Sequence, residues 1–272
     1  ASDVYKRQDF TWFTNLNFGY NDNTVLRETV AENAIRPSRE GYSVGAIFAY
    51  KTAGLDDEGY PLFLTQDGRK VTATEFFKLN NAGASTLSAE EQRNLYSYIG
   101  STEPKVSGGF MNTFKYKRVT LGINCIFNFG MYVQTTPTYD PTNYDRGLNS
   151  NQDILNRWTP DHTNTTLPKL MTENDGRTGE YLRYKEQNLF RELDIWVKKQ
   201  NYFRFESIRL GYELPEKWLK PVGIKSASVS LEGRNLWVIA SNYHNYLDPE
   251  TMGNPYAAPI PKSFIFGLNV NF

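Results

Sequence analysis

The chain has 272 residues, 39% of them hydrophobic, and 30 Lys plus Arg balance 30 Asp plus Glu for a formal net charge of zero. That length holds one large domain or two small ones, and a neutral chain without a basic block is a poor candidate for a general nucleic-acid binder. One Cys rules out an internal disulfide, two His argue against a structural zinc site, and with a mean hydropathy of −0.57 no stretch approaches the ~18 apolar residues of a membrane helix.

Both a soluble β-protein and a transmembrane β-barrel satisfy these figures, because barrel strands face lipid with only every second residue. Residues 1–8 (ASDVYKRQ) have neither a Met nor the apolar core of a signal peptide. They are read as a non-native leader on a truncated chain, leaving 9–272 as the folded part. Period-2 alternation then sets in. Phe10, Trp12, Leu16, Phe18 and Tyr20 share one face of a first strand, and Tyr42, Val44, Ala46, Phe48 and Tyr50 one face of a second. Phe110, Phe114 and Tyr116 mark a third. The fourth is the most regular: Val119, Leu121, Ile123, Cys125, Phe127, Phe129 and Met131 oppose Thr120, Gly122, Asn124, Ile126, Asn128 and Gly130. Ile208, Leu210, Tyr212 and Leu214 align in a fifth. Ala227, Val229 and Leu231 open a sixth, which loses its rhythm near Gly233–Asn235, as at a bulge. In the seventh, Phe264, Phe266, Leu268, Val270 and Phe272 form one apolar stripe.

Several of these segments reach the roughly 9–11 residues that a tilted strand needs to cross a bilayer, longer than the usual ~5–6. Their second faces are Gly, Asn, Thr and Ser, as in a water-lined interior. Short turns at 117–118 and 215–225 contrast with long connections at 53–105, 132–200 and 240–262, the asymmetry of an outer-membrane barrel. With the long loops outside, strands one, three, five and seven run inward. Only the connection 21–41 is too long for the short side.

Six stretches in chain order add a resemblance. GYSVGAIFAYKTAGLDDEGYPLF (41–63), PKVSGGFMNTFKYKRVTLGINCIFNFG (104–130), ILNRWTPDHTNTTLPKL (154–170), NYFRFESIRLGYELPEKWL (201–219), GRNLWV (233–238) and PIPKSFIFGLNVNF (259–272) resemble segments of the SusC/RagA-type TonB-linked outer-membrane transporters of Bacteroidetes. The resemblance implies a 22-stranded barrel with an amino-terminal plug, of which this chain would supply about seven strands. It implies import of oligosaccharides or peptides, a SusD-like surface lipoprotein as lid, and energy from TonB through the missing front end. It further implies placement in outer-membrane lipid and a terminal strand, Phe264 to Phe272, read by the barrel-assembly machinery. A soluble β-rich carbohydrate-binding module is the alternative. The charged segment 171–200 fits no strand.

No catalytic constellation, phosphate loop or dinucleotide motif is present, and no cofactor is expected. His162 and His244 lie far apart in loops, and Cys125 lies on an apolar strand face. Asp56, Asp57 and Glu58 lack the alternating spacing of a calcium loop. The candidates for substrate contact are the loop aromatics Tyr139, Tyr144, Trp158, Tyr243, Tyr246 and Tyr256, whose ring faces beside Asn, Asp and Arg suit a sugar or peptide.

Overall fold

The computed structural model describes residues 9–138, 140–143, 150–241, 248–254 and 256–272. The strands are β1 (Phe10–Tyr20), β2 (Ala46–Ala49), β3 (Thr52–Leu55), β4 (Pro61–Leu64), β5 (Lys70–Val71), β6 (Ser97–Ser101), β7 (Val106–Tyr116), β8 (Val119–Gln134), β9 (Val197–Glu213), β10 (Ser226–Ala240) and β11 (Ser263–Asn271). The α-helices are α1 (Ala73–Phe77), α2 (Ala89–Arg93), α3 (Thr178–Gln187) and α4 (Glu216–Leu219). None is long and apolar enough to cross a membrane, which says nothing of strands.

Six long strands form one antiparallel wall in the order β1-β7-β8-β9-β10-β11. Pairing in register makes each strand's alternation continue in its neighbour. Trp12, Phe114, Leu121, Leu210, Leu231 and Phe266 stand opposite one another in a single row across all six strands. The adjacent row on the other face reads Thr11, Lys115, Thr120, Gly211, Ser230 and Gly267. The wall therefore has one apolar face, on which large side chains such as Trp12, Leu231 and Phe266 remain largely exposed, and one polar face. Asn112 and its partner Thr14 are polar exceptions on the apolar face, and there the Trp12 indole Nε1–H donates to Asn112 Oδ1 at 2.8 Å.

Three irregularities interrupt the rows. In β9 the pairing skips Glu206, so the apolar set passes from Leu210 and Ile208 to Phe205 and Phe203. Gly130 has φ +81°, its N–H donates to Asn201 Oδ1 at 2.7 Å, and the β8–β9 register shifts between Asn128 and Met131. Met131 consequently pairs with Gln200 on the polar face, not with Phe127 and Phe129 as strict alternation would have it. The expected break in β10 lies between Arg234 and Trp237, around Asn235 at φ +54°, and the apolar set resumes at Trp237 and Ile239.

Residues 42–50 do not join the wall, which therefore has six strands where the sequence suggested about seven. β2 pairs only with β6, and the Tyr50 N–H and C=O bond to Glu192 O and Asp194 N at 2.9 and 3.0 Å. The alternation there reflects burial in a lobe built by two long connections, 21–105 and 135–196. With 42–50 outside the wall, 21–41 is part of one long connection, and β1 runs toward the long-loop end, opposite to the expected direction. The other strand directions and the two-residue hairpin at Lys117–Arg118 are as expected.

The lobe has its own core of Tyr50, Tyr60, Phe63, Phe76, Phe77, Met171, Tyr181, Tyr184, Leu189, Phe190, Leu193 and Trp196. Tyr50 stacks on Tyr96 at 4.1 Å and meets Phe77 edge-on at 4.9 Å. Thr72 caps α1, and a reciprocal Ser88–Glu91 capping box starts α2. The segment 171–200, unplaced by sequence, supplies α3 with Tyr181 and Tyr184 turned into this core, and its last residues extend β9. Glu180 Oε1 accepts from the Thr74 hydroxyl at 2.9 Å and joins the two connections. Phe77 is fully buried, so Phe77→Ala should cost about 3–5 kcal/mol of lobe stability. Limited proteolysis should then cut within 50–100 while the wall strands stay protected.

Candidate functional site

Alternation leaves the polar face of the wall to carry whatever contacts solute. Lys115 Nζ lies 2.8 Å from Glu213 Oε1, Arg209 donates to the Ser230 hydroxyl at 3.3 Å, and Arg234 Nε lies 2.6 Å from Glu232 Oε1. Asn124 donates to Ser207 Oγ at 3.0 Å and Asn128 to the Tyr202 hydroxyl at 2.5 Å. Gly122 and Gly211 leave room between these groups. The result is a polar strip of paired charges and amides, with no nucleophile–base pair among its described residues. Among the described residues no cluster of His, Cys, Asp and Glu could hold a metal ion.

Deeper on this face Arg204 is 3% exposed and bridges Asp248 and Glu250, from the connection after β10. Sequence reading missed this group. The available signal was an arginine between Phe203 and Phe205, where alternation turns it away from the apolar face.

In the lobe, Asp56 Oδ1 accepts the backbone N–H groups of Glu58 and Tyr60, and Arg177 lies 2.7 Å from Asp56 Oδ2 and 2.9 Å from Glu58 Oε2. These acids are thus engaged by the turn and by Arg177. The Arg177 guanidinium also lies over the Tyr60 ring, 4.3 Å from its centroid. A cleft of about 510 Å³ opens between the β3–β5 sheet and residues 87–97, lined by Lys51, Arg69, Phe76, Lys78 and Glu91.

Of the six candidate aromatics, Tyr139, Tyr144, Tyr243 and Tyr246 lie outside the described residues, as does His244. Trp158 is half-buried, and its ring packs so close to Gly59 that a Cβ there would sit 2.5 Å from it. Tyr256 is 94% exposed in the connection between β10 and β11. The two belong to different connections. Cys125 is buried in the wall, and His162 sits in an exposed turn with its ring at 3.2 Å from Arg157 O.

Asp175 shows how the lobe depends on charge. Burial pushes its carboxyl upward, but the N–H and hydroxyl of Thr172, the Tyr60 hydroxyl and Lys169 outweigh that and hold it at about 2. Burial, and then Asp175, pushes the Tyr60 phenol well above its ordinary value. A folded-state carboxyl held below its unfolded value of about 3.9 adds stability above that pH and loses it as pH falls toward the folded value. The lobe should therefore keep its Trp fluorescence to about pH 4 and loosen between about 4 and 2. Asp175→Asn should remove that acid-sensitive component and cost about 1–3 kcal/mol at neutral pH, read from chemical denaturation.

No family model matches the chain. It is 24% identical to TonB-dependent receptor P3 of Formosa agariphila over 97% of its own length and 27% of that protein, and 23% identical to receptor P39 of the same organism over 100% and 29%. The solved structure of the RagAB peptide transporter superposes over 98% of this chain and 28% of that one, with a TM-score of 0.69 at 22% identity. The chain thus spans less than a third of the curated relatives it matches. The resemblance read in its strands and turns holds at the level of fold: the chain superposes on part of the RagAB transporter as a partial antiparallel transmembrane β-barrel, with long connections at one end and short turns at the other.

Proposed function

We propose that the chain is wall and outer lobe of a TonB-dependent importer in the bacterial outer membrane, taking up oligosaccharides or peptides. The observation that carries this is the apolar row from Trp12 to Phe266, unbroken across six strands and backed by a polar row. One face then meets lipid and the other water, as a transmembrane barrel requires. A soluble carbohydrate-binding module would have to cover so broad an apolar face. The relatives are named as receptors and a transporter, in keeping with a protein that catalyses no reaction. A SusD-like lipoprotein would close over the lobe, TonB would act through other parts of the protein, and Tyr256 would contact substrate. Deleting the gene for the full-length protein should abolish TonB-dependent uptake of one of the two substrate classes. Undiminished uptake of both would refute the reading.

The two faces give a sharper test. Ile123 and Phe127 lie on the apolar face, Asn124 and Asn128 on the polar one. Arg at either of the first pair should cost about 2–4 kcal/mol of barrel stability, and Arg at the second pair much less. Equal costs in a folding titration into lipid vesicles would contradict the assignment.

The β11 stripe of Phe264, Phe266, Leu268 and Val270, extended by Phe272, is proposed as the segment that the barrel-assembly machinery engages, since a strand edge can add to another sheet. Phe272→Asp should cost the inserted barrel only about 0–1 kcal/mol. Outer-membrane levels should fall while uptake per inserted molecule stays near normal. Normal levels with lost uptake would make Phe272 a transport residue instead.

A further inference from the structure

The connection after β10 does not simply project outward. Alternation around Phe203 and Phe205 places Arg204 on the polar face, where it stands opposite Ile126 and Val238 near the middle of β9. Asp248 and Glu250 reach it from a segment 44 and 46 residues farther along, one on Nη2 and one on Nε. The segment goes on along the same face. A Cβ at Gly253 would lie 2.7 Å from Val133 Cγ2, and Val133 follows Met131 and its switch onto the polar side. Asp248, Pro249 and Met252 are all buried. Successive turns, Thr251 N–H to Asp248 O and Asn254 N–H to Thr251 O, both at 2.9 Å, keep the segment compact.

We propose that residues 248–254 form a strap folded inward across the polar wall, anchored on Arg204, and that this strap limits the size of the solute that passes. The inference rests on the import reading. Arg204 is here a positioning residue, since it acts through the strap. Its burial makes the anchor strong: a guanidinium with little access to water holds two carboxylates, and removing either side leaves charge unpaired. Packing alone does not account for a buried arginine whose Nε and Nη2 both donate to acids of the strap.

The test has two arms, both in the full-length protein with Cys125→Ser. First, Val133→Cys with Gly253→Cys should form a disulfide in the oxidising periplasm, seen by alkylation before and after reduction. Adding Arg204→Met, or Asp248→Asn with Glu250→Gln, should lower the cross-linked fraction about tenfold or more. The second pair keeps shape and removes charge, which guards against simple misfolding. Second, cells are given a peptide mixture and an oligosaccharide mixture of graded length, and depletion from the medium is followed by mass spectrometry. Freeing the strap should extend depletion to longer members at equal surface levels of protein. A cross-link that never forms, one that persists in the uncoupled variants, or an unchanged length profile once it is lost would each overturn the inference. If the unaltered protein depletes neither mixture, the import reading fails and the size limit fails with it, whatever the cross-link shows.

Discussion

Within hydrocarbon no water is available to a peptide group, so every wall N–H and C=O must be met by a neighbouring strand. This pairing requirement governs the remainder of the molecule. It fixes register, and register turns the alternation within one strand into rows across six. A single slip would carry Leu121 and Leu210 into water and Thr120 and Gly211 into lipid. Where the pairing breaks at Gly130, the Asn201 side chain replaces the lost partner. These irregularities let β8 and β9 pass from a membrane-spanning rhythm to another role at their outer ends.

Those ends are where wall and lobe meet. β8 and β9 have 16 and 17 residues, well beyond what a bilayer demands, and their surplus carries the lobe. Tyr132 packs beside Ile47, Ala49 and Val197, and Thr135 N–H donates to Trp196 O at 2.8 Å. The lobe is thus seated on the longest strand pair of the sheet. Its aromatic core contrasts with the wall, where the large side chains look outward.

What could be read from sequence follows from how local each signal is. The wall strands were legible because lipid on one side and water on the other write themselves into neighbouring residues, as from Val119 to Phe129. The same signal misled at Tyr42–Tyr50, because half-burial in a lobe produces the same rhythm as half-burial in a membrane. Met131 changes face through a backbone conformation at Gly130 that no side-chain pattern announces. The lobe core was hidden because Tyr50 and Tyr184 meet only after two connections fold together, and each alone reads as a polar loop. Loop aromatics are candidates by residue type, yet contacts decide what they can do: the Trp158 ring is packed against Gly59, whereas that of Tyr256 is open. The Arg204 anchor lay beyond reach because its acids come from a distant segment.

The join between Thr74 and Glu180 has a consequence for the order of events during folding. It spans 106 residues, with β7 and β8 between its ends. Such a contact has a high loop-closure cost until the intervening hairpin has formed and shortened the effective distance. Biogenesis should then run from hairpin to lobe, and a chain halted before α3 would leave the cluster of Tyr50, Phe63 and Phe77 without the cover of Tyr181 and Tyr184. For as long as that state lasts, the sticky surface is on the water-soluble half of the molecule, and holding chaperones would be drawn to it ahead of the strands destined for lipid.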